Sequence, residues 1–144
     1  MSVVYASIFD PAIRNRGGGF LMIVIGESRL AEAKENVLHA FEDWVQTNNW
    51  LFCDDDPKKQ KKKDTELKKI RKLVEKMRRT SSLPELLAFV LWCQNYVCNF
   101  GGVAFGVGIH GDPVKSFYTT NPRTELPSSL RLAQAIASVL RLQC

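Results

Sequence analysis

Twelve lysine and arginine side chains lie between Pro57 and Thr80, and their types and spacing suggest a definite chemistry. Only three acidic residues accompany them, so this segment carries a net charge of +9, whereas the rest of the 144-residue chain carries −4. Ammonium groups and planar guanidinium groups both bind phosphate oxygens well. The positive field is therefore local, and it favours an anionic partner.

The basic segment predicts binding to nucleic acid, and RNA is favoured because no helix-turn-helix or zinc-finger spacing is present for reading a DNA groove. The side chains expected to contact phosphates are Lys58, Lys59, Lys61, Lys62, Lys63, Lys68, Lys69, Arg71, Lys72, Arg78 and Arg79. A second contact is expected where Arg14 and Arg16 precede three glycines, because exposed backbone N–H groups in such a loop can bind an anion.

Other partners fit the same charges. Residues 57–63 resemble a short monopartite nuclear import signal, which an import receptor reads as an extended peptide. An acidic protein is another possible partner. The alternative is therefore a protein–protein interaction module, of a regulatory or viral accessory type, whose lysines serve nuclear import or solubility. Residues 83–87 also match a Leu-x-x-Leu-Leu partner motif, although core packing explains leucines in so apolar a helix.

Patterns typical of catalysis are weak. Asp54, Asp55 and Asp56 could hold a hard metal ion, which makes a metal-dependent hydrolase the weaker alternative. Helix capping and neutralisation of nearby lysines explain these carboxylates better, because no calcium-loop pattern accompanies them. His39 and His110 have no nucleophile at a recognisable spacing. We expect a protein that is not an enzyme and needs no cofactor or metal.

Composition limits the class of protein. Hydrophobic residues form 45% of the chain, which is typical of a folded protein, and the length fits one domain. The longest nearly apolar run, at 86–97, is too short to cross a bilayer, and no secretory signal is visible. We therefore expect a soluble intracellular protein, in the nucleus or cytoplasm or both, with cysteines that remain thiols.

Apolar spacing predicts the elements that must position these groups. We expect strands at 3–9, 20–25, 103–109 and 115–120, and helices from Ser28 to about Val45, at 64–80, from Ser82 to about Asn99, and at 130–142. The lysine block should repel itself, so a mobile basic segment at about 54–64 is expected to lead into a basic amphipathic helix at about 64–80.

The predicted order of elements is ββα, two helices, then ββα. Because strands bury one face against another layer, the economical fold is a single α+β domain. Its four-stranded, mainly antiparallel sheet would pack against the helices, with the basic helix at an edge.

Overall fold

The computed structural model of the protein describes residues 3–10, 19–105, 107 and 117–143. These residues form four α-helices and two separate β-hairpins. In chain order the elements are β1 (Val3–Asp10), β2 (Gly19–Gly26), α1 (Glu27–Thr47), α2 (Pro57–Arg79), α3 (Leu83–Gly101), β3 (Val103–Phe105), β4 (Phe117–Thr119) and α4 (Leu126–Leu140). Short 3-10 turns follow α1 and α4, at Asn49–Phe52 and Arg141–Gln143.

The predicted four-stranded sheet packed against helices is wrong, because the fold is mostly helical. β1 pairs antiparallel with β2, with Val3 opposite Gly26, and β3 pairs antiparallel with β4, with Val103 opposite Thr119. Neither hairpin pairs with the other within the described ranges. Each hairpin is a local contact, whereas joining two hairpins requires long-range pairing. Among the described residues, β3 and β4 contribute three residues each to the second hairpin.

The core is built by the helices. Buried side chains from all four helices form one hydrophobic cluster, which includes Val37, Leu38, Phe41, Trp44, Ile70, Val74, Leu86, Val90, Val97, Leu132, Ile136 and Leu140. Phe41 lies at its centre and meets the rings of Phe89, Trp92 and Tyr96 edge to face at 5.8–6.5 Å. The helices thus supply the apolar layer that the predicted sheet was expected to supply.

A buried polar network joins the end of α1 to the start of α4. The indole Nε1 of Trp44 donates to Ser129 Oγ at 3.0 Å. Asn48 is fully buried; its Nδ2 donates to the carbonyl of Trp44 at 2.9 Å, and its Oδ1 accepts from the backbone N–H of Glu125 at 3.0 Å. Because both ends of this amide are satisfied, burying it carries no unpaired polar group.

Two glycines end α3 close to the same network. Gly102 has a left-handed φ of 69°, which glycine adopts without steric cost. A methyl group at Gly101 would overlap Trp44 Cζ2 and lie 2.9 Å from Cη2, so only glycine fits against the indole here. Helix α3 therefore approaches α1 through a position that has no side chain.

Capping side chains set where the helices begin. Ser82 caps α3 by accepting from the backbone N–H of Glu85 at 3.3 Å, as the Ser-x-x-Glu pattern predicts. Glu125 caps α4 by accepting from Ser128 N at 3.2 Å, so α4 begins at Leu126 rather than at residue 130. Of the helices described, none is long and apolar enough to cross a membrane.

Candidate nucleic-acid interface

Helix α2 begins at Pro57, seven residues before the predicted start, so residues 57–63 belong to the helix. Asp56 caps the helix by accepting from Lys58 N at 3.0 Å, and Pro57 occupies the first turn, where its missing N–H is not needed. Gln60 donates to the carbonyl of Phe52 at 3.0 Å and accepts from Asp54 N at 2.6 Å. These contacts offset the mutual repulsion of the lysines.

Lys63 also stabilises this end of the helix. Its Nζ donates to the carbonyl of Cys53 at 3.1 Å and lies 3.7 Å from a carboxylate oxygen of Asp54. The side chain is only 32% exposed, whereas its lysine neighbours at 58, 59, 61 and 62 are exposed. Lys63 therefore differs from the rest of the lysine block, since its charge already has an acidic partner.

The C-terminal end of α2 is attached to α1. Arg78 forms ion pairs with Glu35 and Glu42 of α1 and with Glu75 of its own helix. From α1, Lys34 donates to the carbonyls of Arg78 and Thr80, each at 2.9 Å, and so caps the end of α2. Arg78 was predicted to contact phosphates, but the structure places it among three carboxylates.

The inner face of α2 follows the predicted apolar stripe. Ile70, Val74 and Met77 are buried in the core, and Leu67 packs against it half-buried. Because the helix is docked along this stripe and held at both ends, its opposite face keeps a fixed orientation. The charges on that face are therefore pre-organised rather than carried on a loose arm.

The outward surface of α2, which we name the outer basic face, is continuous and cationic. At about 100° per residue, its members fall within an arc of about 120° opposite the buried stripe. They are Lys58, Lys61, Lys62, Lys68, Lys69, Lys72, Lys76 and Arg79, and all are exposed. None of them forms an ion pair within the described part of the chain. Thr65 is the one uncharged residue inside this arc.

The acidic residues of α2 lie outside the arc. Asp64 accepts from Gln60 at 2.9 Å, Glu66 accepts from the hydroxyl of Tyr96 at 3.2 Å, and Glu75 lies beside Arg78. Burial raises the pKa of Tyr96, and the Glu66 carboxylate raises it further. The phenol therefore stays neutral and donates to Glu66.

Not every predicted contact joins this surface. Lys59 and Arg71 are exposed but lie about 60° outside the arc on either side, while Lys63 and Arg78 have acidic partners within the chain. Arg14, Arg16 and His110 fall outside the described residues. Lys76 was not among the predicted contacts, yet it belongs to the outer basic face. Its spacing of seven residues from Lys69, two helical turns, is the signal that identifies it.

The three consecutive aspartates have structural partners. Asp54 accepts from Asp56 N at 2.9 Å and pairs with Lys63, while Asp56 caps α2. Asp55 is exposed. Across the residues that the structure describes, no group of three or more His, Cys, Asp or Glu side chains could hold a metal ion.

A cleft of about 600 Å³ separates α1 from α2 below the outer basic face. Its walls include the apolar side chains of Phe41, Ile70 and Val74, with the carboxylates of Glu42 and Asp64 among its polar groups. Glu42 is paired with Arg78, and Asp64 accepts from Gln60, so each carboxylate already has a partner. None of the described residues that line the cleft is a histidine, so among them the exposed Cys53 has no imidazole base beside it.

The leucines of the Leu-x-x-Leu-Leu motif serve mainly the core. Leu83 and Leu86 are 1% and 0% exposed, and Leu87 packs half-buried against the same cluster. A partner groove would need these side chains exposed on one helix face. The motif therefore marks the buried side of α3.

The sequence matches no protein-family model, and no curated protein or solved structure is significantly similar to it. Its function must therefore be inferred from the chemistry of its own residues, of which the outer basic face is the most distinctive group.

Proposed function

We propose that this protein is a non-enzymatic nucleic-acid-binding protein that holds RNA on the outer basic face. The observation that carries the proposal is a set of eight exposed cations on one helix face without ion-pair partners in the described chain. Such a face repels itself, so its field is neutralised best by an external polyanion. A phosphate backbone supplies regularly spaced negative charge of the kind that lysine and arginine bind.

The elements around α2 favour RNA over sequence-specific reading of DNA. Helix α3 follows α2 after a short turn, as the second helix of a helix-turn-helix would. However, its only charged residue is Glu85, and most of its circumference is buried or packed against the core. Helix α3 therefore cannot serve as a recognition helix in a DNA groove. Helix α2 is the helix available for nucleic acid, and its side chains suit the phosphate backbone.

The rival proposal is an interaction module whose lysines serve nuclear import or bind an acidic protein. Import receptors would need residues 57–63 extended, and here these residues form the first two turns of a capped helix. This favours nucleic acid as the partner of the folded protein. We place its action inside the cell, in the nucleus or the cytoplasm, where RNA is present.

The test is the salt dependence of binding to a fluorescently labelled single-stranded RNA, measured by anisotropy between 50 and 200 mM salt. If about five cations meet phosphates, the slope of log affinity against log salt should be near −3.5 for a single strand. Lys69→Gln combined with Lys72→Gln should reduce the magnitude of that slope by about 0.7 if the strand contacts one of these side chains and by about 1.4 if it contacts both.

The control removes two positive charges elsewhere, with Arg29→Gln and Arg131→Gln. Arg29 is exposed on α1, and Arg131 forms only an exposed ion pair with Asp43, so neither change should affect folding noticeably. The control should retain the parent slope. Equal losses in the two variants would mean that net charge alone matters, and tighter binding to polyglutamate than to RNA would favour the interaction module.

A further inference from the structure

The cations of the outer basic face lie in two rows along α2. One row contains Lys58, Lys62, Lys69 and Lys76; the other contains Lys61, Lys68, Lys72 and Arg79. At about 100° per residue the rows are separated by about 75° around the helix axis, which places the ends of extended side chains on the order of 10 Å apart. From Lys58 to Arg79 the rows run for about 31 Å.

A single strand cannot use both rows equally. One extended backbone lying along the helix presents one line of phosphates, so it meets one row and leaves the other in solvent. Two backbones on either side of a groove present two lines of phosphates, which is the arrangement that two parallel rows of cations match. The geometry of the face therefore favours a duplex.

The composition of α2 supports the same conclusion. Proteins that bind single strands without sequence preference combine a basic groove with aromatic side chains on which bases stack. Helix α2 has no aromatic residue anywhere in its sequence. Helix α2 therefore offers contacts to the phosphate backbone of a nucleic acid and no surface on which unpaired bases could stack.

The widths of the grooves decide whether the outer basic face suits an RNA duplex or a DNA duplex. The major groove of B-form DNA is about 12 Å wide and admits a helix, whose outer side chains then meet base edges. The major groove of A-form RNA is deep and too narrow for side chains to read its bases. A helix lying over such a groove reaches a phosphate backbone on each side, which suits two rows composed almost entirely of lysine.

We infer that the outer basic face binds double-stranded RNA, one row of cations on each backbone across a narrow groove, without reading base sequence. This inference rests on the proposed function and names its substrate class.

The experiment compares the parent protein with two charge-matched variants on three probes: an RNA duplex of about 20 base pairs, the same sequence as DNA duplex, and one unstructured RNA strand. The first variant combines Lys62→Gln, Lys69→Gln and Lys76→Gln. The second combines Lys61→Gln, Lys68→Gln and Lys72→Gln. All six side chains are exposed, so both variants should fold as the parent does, which thermal unfolding checks.

For duplex RNA, we expect each variant to reduce the magnitude of the salt slope by about 2–3, and we expect the two variants to weaken binding to the same extent, because each row serves one backbone. The parent should bind duplex RNA at least about tenfold more tightly than the single strand, because a single strand meets about half as many of the cations. If one variant binds duplex RNA as the parent does, or if the single strand binds as tightly as the duplex, the two-row inference is wrong while RNA binding stands.

Duplex DNA bound as tightly as duplex RNA would overturn the assignment to an A-form groove. No measurable binding to any of the probes at low salt would overturn the proposed function itself. These outcomes are therefore distinguishable.

Discussion

Removal of the cap at Asp56 should loosen the first two turns of α2 without unfolding the protein. Lysines dominate these turns, which lie at the positive end of the helix dipole, so local stability there is low. Asp56→Ala removes the hydrogen bond to Lys58 N, a loss of about 1 kcal/mol for a typical cap. Since about 1.4 kcal/mol corresponds to a tenfold change, exchange of the amides near Gln60 and Lys63 should accelerate about fivefold.

The assay is amide hydrogen exchange, resolved by residue or by short peptides. The matched control is Asp55→Ala, which removes the same charge from an exposed side chain that makes no hydrogen bond or ion pair in the described structure. Amides around Val74, deep in the docked part of α2, should be unaffected in both variants. The difference between the two variants measures the cap itself rather than the lost charge.

Two outcomes would refute this reasoning. If the amides of residues 61–63 exchange at unfolded rates in the parent protein, the segment is the mobile arm that its charge pattern predicts. If Asp55→Ala accelerates exchange as much as Asp56→Ala does, the helix start depends on local charge balance and the cap is unimportant.

Further expectations concern the core. Gly101→Ala should lower the free energy of unfolding by about 2 kcal/mol, because the new methyl group overlaps the buried indole of Trp44; combining it with Trp44→Phe should give less than the sum of the two losses, measured by urea unfolding. Burial, and then Glu66, raise the pKa of Tyr96, so stability should fall as pH rises above about 10, and Tyr96→Phe should remove part of that fall. Burial also raises the pKa of Cys93, so its thiol should react with a thiol reagent only on unfolding.

Helices with a clear apolar stripe could be predicted from the sequence. The stripe of α1 and the capping box of α3 placed both helices within a few residues, because these signals depend on neighbours three or four positions apart. The hairpin strands were also predictable as local pairs. Whether the two hairpins join depends on contacts between distant residues, which the sequence pattern does not encode, and so the four-stranded sheet was wrong.

The sequence predicted which segment carries the cations, but it did not predict that the whole segment is helical. Charge density alone identified the segment, yet it suggested a mobile arm, because repulsion among the lysines is visible in the sequence. The contacts that outweigh this repulsion come from outside the lysine block, through the carbonyl of Phe52 and the side chains of Asp54 and Asp56. Two of the three carboxylates that pair with Arg78 belong to α1, so the sequence of α2 could not show that Arg78 is already paired within the protein.

The buried amide of Asn48 has a consequence for how this sequence can diverge. Aspartate there would lose the donor to the Trp44 carbonyl, and leucine would lose in addition the acceptor for Glu125 N. In descendants of the same ancestor, position 48 should therefore stay asparagine. Trp44 and Ser129 should change together if they change at all. If the outer basic face binds nucleic acid as proposed, lysine and arginine should replace each other along it, because either cation can bind a phosphate oxygen.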